Sequence, residues 1–129
     1  MGGKTGFVQV QSLKNQALIA DKCHVAESFT DRLRGLIGRK TLVPGEALLL
    51  PRCNNIHMGF MRIPIDVVFI RKEKRTDGGI VHLVSSVREG LRPWSLPVWD
   101  RGAHDTLELP AGTVGRLGIK PGDELSCTS

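Results

Sequence analysis

The run Pro64-Ile65-Asp66-Val67-Val68-Phe69-Ile70 decides the fold class of this chain. Apart from Asp66 it is apolar at every position after the proline, and it is rich in β-branched and aromatic residues, which favour strands. A proline can open such a strand but not continue it. Because side chains alternate between the two faces of a strand, a run that is apolar on both faces indicates a central strand of a sheet.

Short strands are also predicted on both sides of this run, because apolar stretches recur between turn-forming residues. Arg71 to Gly79 is predicted to be a charged hairpin loop, and Arg88 to Ala103 a long irregular stretch that holds both tryptophans. The other predicted strands are Phe7–Leu13, Leu18–Ala26, Glu46–Leu50, Ile56–Met61, Ile80–Val87, Thr106–Leu109 and Glu124–Cys127.

One amphipathic helix is predicted from Ser28 to Ile37, with Gly38 placed to end it. The apolar residues that its spacing puts on one face, which we expect to face the sheet, are Phe29, Leu33, Leu36 and Ile37. Thr113 to Leu117 can form a further helical turn. The pattern predicts a mainly β, compact, predominantly antiparallel sandwich or barrel with one short helix, in a single domain of residues 1–129.

The bulk composition is that of an ordinary globular protein. No apolar run approaches the roughly 20 residues that a membrane helix needs, and the first residues do not resemble a secretory signal, so we expect a cytoplasmic protein. Three widely spaced cysteines fit reduced thiols better than a disulfide framework. The net charge of +5 is spread along the chain, and tyrosine is absent. Few aromatic side chains are therefore present on which nucleic-acid bases could stack, and nucleic acid is an unlikely partner.

Four blocks in this order resemble the prokaryotic domain-of-unknown-function family one-nine-two: Arg32–Arg39, Gly45–Leu50, Ile56–Phe69 and Leu107–Gly112. The resemblance covers the chain from about Val25 to Leu125. It implies a small, mainly β fold, in agreement with the strand pattern, and it implies no established activity.

Asp66 is the most informative candidate residue, because a carboxylate inside an apolar strand must be hydrogen-bonded or ion-paired. Strand alternation puts it on the same face as Val68 and Ile70, so we expect it to be buried. Its partners are predicted to be backbone N–H groups or an arginine, with Arg62 and Arg92 as the candidates. Asp66 is either a structural pin or part of a ligand pocket; the predicted pocket residues are His57, Arg62, Asp66, Arg92 and Trp94.

Cys53 and His57 are the best-spaced metal-ligand pair, but a pair fills only half of a four-coordinate site, so we expect neither a metal nor a cofactor. No nucleophile motif is present. The sequence favours a soluble binding or accessory module with one cleft for a small or extended anionic ligand, and whether it is an enzyme stays open. The alternatives are a small hydrolase-like or metal-dependent enzyme using His57 and Asp66, and nucleic-acid binding through a basic surface.

Overall fold

A computed structural model of the chain describes residues 7–26, 42–56, 58 and 62–128. The predicted helix Ser28–Ile37, with its apolar face, lies outside these residues. The described elements are β1 (Phe7–Ser12), β2 (Leu18–Val25), β3 (Gly45–Leu50), β4 (Asn55–Ile56), β5 (Ile65–Lys74), β6 (Ile80–Leu91), β7 (Val98–Trp99), β8 (Asp105–Pro110), α1 (Thr113–Leu117) and β9 (Glu124–Thr128).

Seven of the strands form a closed barrel in the order β1-β2-β3-β8-β5-β6-β9, and β9 returns to pair with β1. The β2–β3 pair is parallel, and the other pairs of the barrel are antiparallel. β4 and β7 form a separate two-stranded antiparallel sheet. The predicted class, mainly β and predominantly antiparallel, is confirmed.

β5 is central, as its sequence predicts, because it pairs with β6 on one side and β8 on the other. Its two faces serve two apolar clusters. Val68 and Ile70 lie in an inner cluster, to which all seven barrel strands and α1 contribute. Val67 and Phe69 lie in an outer cluster, which also holds Ile56 of β4 and is flanked by the half-buried Val98 of β7. The small β4–β7 sheet therefore covers the outer face of β5.

The predicted loop Arg71–Gly79 is wrong in its first half, because β5 continues to Lys74. Lys72 to Lys74 pair with Ile80 to His82 of β6, and the turn is confined to residues 75–79. Lys72, Glu73 and Lys74 are exposed. A charged strand needs no apolar face where its backbone groups are paired with a neighbouring strand and its side chains reach water.

The predicted irregular stretch Arg88–Ala103 is also partly structured. β6 extends to Leu91, with Arg88 opposite Val67 and Leu91 opposite Ile65 of β5. β7 then pairs with β4 through Trp99 and Asn55. Tertiary pairing with β5 overrides the weak strand signal of the polar residues in this stretch.

The predicted helical turn is confirmed as α1, which lies between β8 and β9. Its Val114 is buried in the inner cluster together with Ile119, which follows the helix. Gly112 precedes the helix with a φ of 93°. This left-handed conformation suits glycine and turns the chain sharply from β8 into α1.

Candidate functional site

The bend that follows β3 forms one wall of a cleft. Pro51 ends the strand, and Arg52 has a left-handed φ of 54°. The Arg52 N–H donates to Oδ1 of Asp105 at 3.0 Å, and the Cys53 N–H donates to the carbonyl of His104 at 3.0 Å. The Thr106 hydroxyl donates to the Cys53 carbonyl at 2.6 Å. These bonds fix the bend against the start of β8.

His104 forms the opposite wall, and its ring orientation is set by β5. The His104 N–H donates to the Ile70 carbonyl at 2.7 Å, while its Nδ1 accepts the Lys72 N–H at 2.9 Å. Because Nδ1 acts as an acceptor, the neutral ring carries its proton on Nε2. The imidazole therefore keeps an N–H donor that its backbone contact does not use.

Between these walls lies an open cleft of about 370 Å³. Among the described residues that line it, the acidic one is Asp105, which is buried and accepts contacts through both carboxylate oxygens. Oδ1 accepts the Arg52 N–H, and Oδ2 lies 3.5 Å from the Lys72 ammonium. The described lining residues are Arg52, Cys53, Asn54, Lys72, Ala103, His104 and Asp105. Lys72 and Asp105 offset each other's charge, so Arg52 gives the lining one net positive charge, which together with the His104 ring N–H can attract an anion.

The three cysteines are free and differ in their surroundings. Burial raises the pKa of the Cys23 thiol to about 12, and the neighbouring Cys127 adds to that rise. Burial also raises the pKa of Cys127, with the Asp105 carboxylate acting in the same direction. Since the thiolate is the reactive form, both thiols are suited to packing. Cys53 lines the cleft, where its thiol donates to the Asn55 carbonyl at 3.1 Å.

No group of three or more histidine, cysteine or acidic side chains that could hold a metal ion occurs among the described residues. His57 lies outside them, so the Cys53–His57 pair is untested and the absence of a metal stays a prediction.

Asp66 is completely buried, as its sequence position predicts. Oδ1 accepts the Gly90 N–H at 2.8 Å, and Oδ2 accepts the N–H groups of Gly112 and Val114 at 3.0 and 2.9 Å. The predicted backbone donors are confirmed, and none of its hydrogen bonds within the described residues comes from an arginine. The carboxylate ties the end of β6 to the start of α1. A substrate cannot reach it in this arrangement, which weighs against a catalytic role.

The other predicted pocket residues lie at the surface or outside the described part of the chain. Arg62, Arg92 and Trp94 are exposed, and Trp94 has a φ of 66°. The Trp94 N–H donates to the Met58 carbonyl at 3.0 Å. This hydrogen bond connects the segment that follows β4 with the segment that follows β6. His57 is not among the described residues. Ligand binding by these residues therefore stays a prediction.

Sequence reasoning missed the lining of the cleft. Arg52, Lys72 and His104 come from three distant segments, and only the pairing of β5 with β8 brings the last two together. A faint signal was present in the adjacent His104 and Asp105 at the start of a predicted strand, because polar residues that flank a strand are often functional.

The fold and the cleft together define a small β-barrel domain with a cationic surface cleft. The family model described as "DUF192: Uncharacterized ACR" matches residues 10–127, and the chain belongs to this family, as its sequence blocks indicate. No curated protein matches the chain.

Solved structures of other proteins share the fold. A proposed transcription regulator from Sinorhizobium meliloti 1021 is 25% identical, with a TM-score of 0.74 over 93% of this chain and 91% of that one. A protein of unknown function from Novosphingobium aromaticivorans DSM 12444 is 23% identical, with a TM-score of 0.72 over 92% of this chain and 82% of that one. In the described part of this chain, no helix is long and apolar enough to span a membrane.

Proposed function

We propose that this protein is a binding or accessory module that takes a small anionic ligand in the cleft formed by residues 52–54, 72 and 103–105. One observation carries the proposal: Arg52, Lys72 and His104 line the same cleft, and with Lys72 paired to Asp105 the lining keeps one net positive charge.

The size and the chemistry of the cleft support a small ligand. Ligand pockets typically measure about 300–1,000 Å³, and this cleft lies at the small end of that range. Arginine offers five N–H donors, so Arg52 can hold a protein neighbour and still bind an oxyanion. A guanidinium, an ammonium and an imidazole N–H suit a phosphate or a carboxylate.

The rigidity of the cleft also favours binding. Hydrogen bonds within the protein fix the backbone of Arg52 and Cys53 and the ring of His104 in the walls of the cleft. Binding to preformed walls costs less conformational entropy than binding that must first order a loop.

The test is a titration of the full-length protein with inorganic phosphate at constant ionic strength, followed by amide chemical shifts. We expect saturable shifts at residues 52–54 and 103–105. Arg52→Ala and Lys72→Ala should each weaken the binding roughly tenfold, because each removes a charge-assisted hydrogen bond.

Lys74→Ala is the matched control, since Lys74 is an exposed lysine of the same strand that does not line the cleft. Equal losses for Lys72→Ala and Lys74→Ala would show a general charge effect and overturn the proposal. Shifts that grow linearly without saturation would do the same. Thermal unfolding of each variant shows whether the fold is retained.

Nucleic acid is the second candidate ligand. The sequence pI of about 9.5 and the likeness to a proposed transcription regulator favour it. Binding to phosphate backbones weakens steeply with salt. Anisotropy of labelled single- and double-stranded oligonucleotides at two salt concentrations tests it, and salt-sensitive binding that Arg52→Ala and Lys72→Ala leave unchanged would place nucleic acid away from the cleft.

A further inference from the structure

The segment from Arg92 to Arg101, here called the tryptophan loop, exposes three large apolar side chains. Trp94 is 73% exposed, Leu96 is 83% exposed and Trp99 is 53% exposed. Both tryptophans of the protein are among them. Isolated apolar residues at a surface are ordinary, but three projecting within six positions of one loop form a patch that suits an external partner.

The backbone of the loop holds this arrangement in place. Trp94 has a φ of 66°, a conformation that disfavours a bulky residue. The conformation is fixed by two backbone bonds, from the Trp94 N–H to the Met58 carbonyl at 3.0 Å and from the Ser95 N–H to the Arg92 carbonyl at 3.1 Å. An exposed indole held in a strained conformation contributes little burial to the fold, which favours a role outside it.

Positive charge brackets the apolar side chains. Arg92 and Arg101, at the two ends of the loop, are both exposed. On β6, the Arg88 guanidinium lies 5.4 Å from the centre of the Phe69 ring. The loop's acidic residue, Asp100, accepts hydrogen bonds from the Ser86 hydroxyl at 2.6 Å and the Gly102 N–H at 2.9 Å. Along the loop, the three exposed apolar side chains therefore lie between two exposed arginines.

We propose that the tryptophan loop docks this protein onto lipid bilayers that carry anionic headgroups. Tryptophan favours the membrane–water interface, where its ring is partly buried and its N–H stays hydrated. Leu96 can enter the acyl boundary beside the indoles, and the flanking arginines attract anionic lipids. The inference does not depend on the cleft proposal and adds a second surface to the molecule.

Other occupants fit the loop less well. A two-fold interface centred on this loop would place Arg92 and Arg101 of both copies in one contact, four like charges that repel one another. A stable protein interface buries about 800 Å² per partner, from some 20–30 residues, whereas this patch consists of three tips on one loop. Nucleic-acid bases stack on aromatic rings, but the most exposed side chain here is Leu96.

The test uses the full-length protein with vesicles of phosphatidylcholine, alone or mixed with phosphatidylglycerol. Because both tryptophans lie on the loop and the chain has no tyrosine, intrinsic fluorescence reports on the loop alone. We expect co-sedimentation and a blue shift of the emission with the mixed vesicles, reduced by added salt. Pure phosphatidylcholine should give a much weaker response.

Leu96→Asp keeps both fluorophores and should weaken the partitioning by roughly tenfold or more, since it replaces an inserting leucine with a charge. Ile80→Asp is the matched control, because Ile80 is a 57% exposed apolar residue elsewhere on the surface. Equal losses in the two variants would overturn the proposal, and so would the absence of binding to anionic vesicles by the folded protein.

Three further outcomes would assign the loop to another occupant. Blue-shifted emission in the free protein would show that the loop is covered by the chain itself. A dimer that Leu96→Asp dissociates would assign the loop to a second copy. Tighter binding to a single-stranded oligonucleotide than to anionic vesicles, lost on Trp94→Ala, would assign it to nucleic acid.

Discussion

Asp66 is the residue whose substitution we expect to destabilise the fold most clearly. Asp66→Ala leaves the N–H groups of Gly90, Gly112 and Val114 without their acceptor in a buried region. The free energy of unfolding should fall by about 2–4 kcal/mol, mostly from these unpaired donors. Urea unfolding followed by circular dichroism measures the loss.

Asp66→Asn distinguishes the structural role from a functional one. An amide has the shape of the carboxylate, but its NH₂ group would face N–H donors on at least one side, so we expect a loss of about 1–3 kcal/mol. Asp77→Ala serves as the control, because Asp77 is exposed in the β5–β6 turn, and losing its hydrogen bond from the Gly79 N–H and its ion pair with Arg75 should cost about 1 kcal/mol or less. Full stability in Asp66→Asn would contradict the structural role.

At the scale of elements, the turn from β8 into α1 depends on a left-handed glycine. Gly112 has a φ of 93°, and a Cβ added there would meet no atom within 4 Å. Only the backbone conformation opposes a side chain, so Gly112→Ala should lower the free energy of unfolding by about 1–2 kcal/mol. Chemical denaturation tests this figure.

Gly115→Ala is the matched control for this turn. Gly115 lies within α1, where alanine is favoured over glycine, and its added Cβ would come no closer than 3.4 Å to the end of the Glu89 side chain. We expect unchanged or slightly higher stability. An equal loss in both variants would mean that the turn tolerates neither side chain, for a reason other than φ.

The strands could be predicted from the sequence where one chain segment carries its own pattern. β5 could be predicted because its first six residues form a run that is apolar on both faces of the strand. Asp66 could be identified because it is the single charged residue in that run. The charged end of β5 and the continuation of β6 to Leu91 were not predicted, because each is held by backbone pairing with a different part of the neighbouring strand: the first with residues 80–82, the second with residues 65–67. Local propensity is a weak guide where pairing alone decides.

The cleft was out of reach for a related reason. Its walls come from the bend at Arg52, from Lys72 on β5 and from His104 before β8. The spacing of these residues in the sequence does not indicate that they lie close together in the fold. The predicted pocket drew instead on polar residues of two other segments, His57 to Asp66 and Arg92 to Trp94. In the structure, Asp66 is buried and bonded to backbone N–H groups, whereas Arg92 and Trp94 are exposed.

At the scale of the whole molecule, the ion pair between Lys14 and Asp123 links distant parts of the barrel and makes the free energy of unfolding depend on pH. The Lys14 ammonium, in the β1–β2 turn, lies 2.8 Å from Oδ2 of Asp123, which precedes β9. Burial alone would raise the pKa of Asp123, but hydrogen bonds from Lys14 and the Lys120 N–H, with their positive charges, hold it below its ordinary value of 3.8.

Because the folded pKa lies below the unfolded one, this carboxylate stabilises the fold above about pH 3.8, and the contribution is lost as the pH falls through the folded pKa. At neutral pH, Lys14→Ala should lower the free energy of unfolding by about 1 kcal/mol or less, as for other partly exposed pairs. The difference from the unmodified protein should shrink in strong acid. Urea unfolding at several pH values measures it, and a difference that Lys74→Ala reproduces would contradict the role of the pair.

Closure of the barrel between β1 and β9 has a consequence for how the protein is made. Gln9 lies opposite Thr128, so this contact joins positions near the two ends of the described chain. Pairings of such high sequence separation form slowly, because a long loop must close before they contribute. During synthesis, β1 has emerged long before β9 and waits with one edge unpaired, where it can pair with another nascent chain. β9, which leaves the ribosome after the other strands of the barrel, is therefore the strand that completes the barrel and covers that edge.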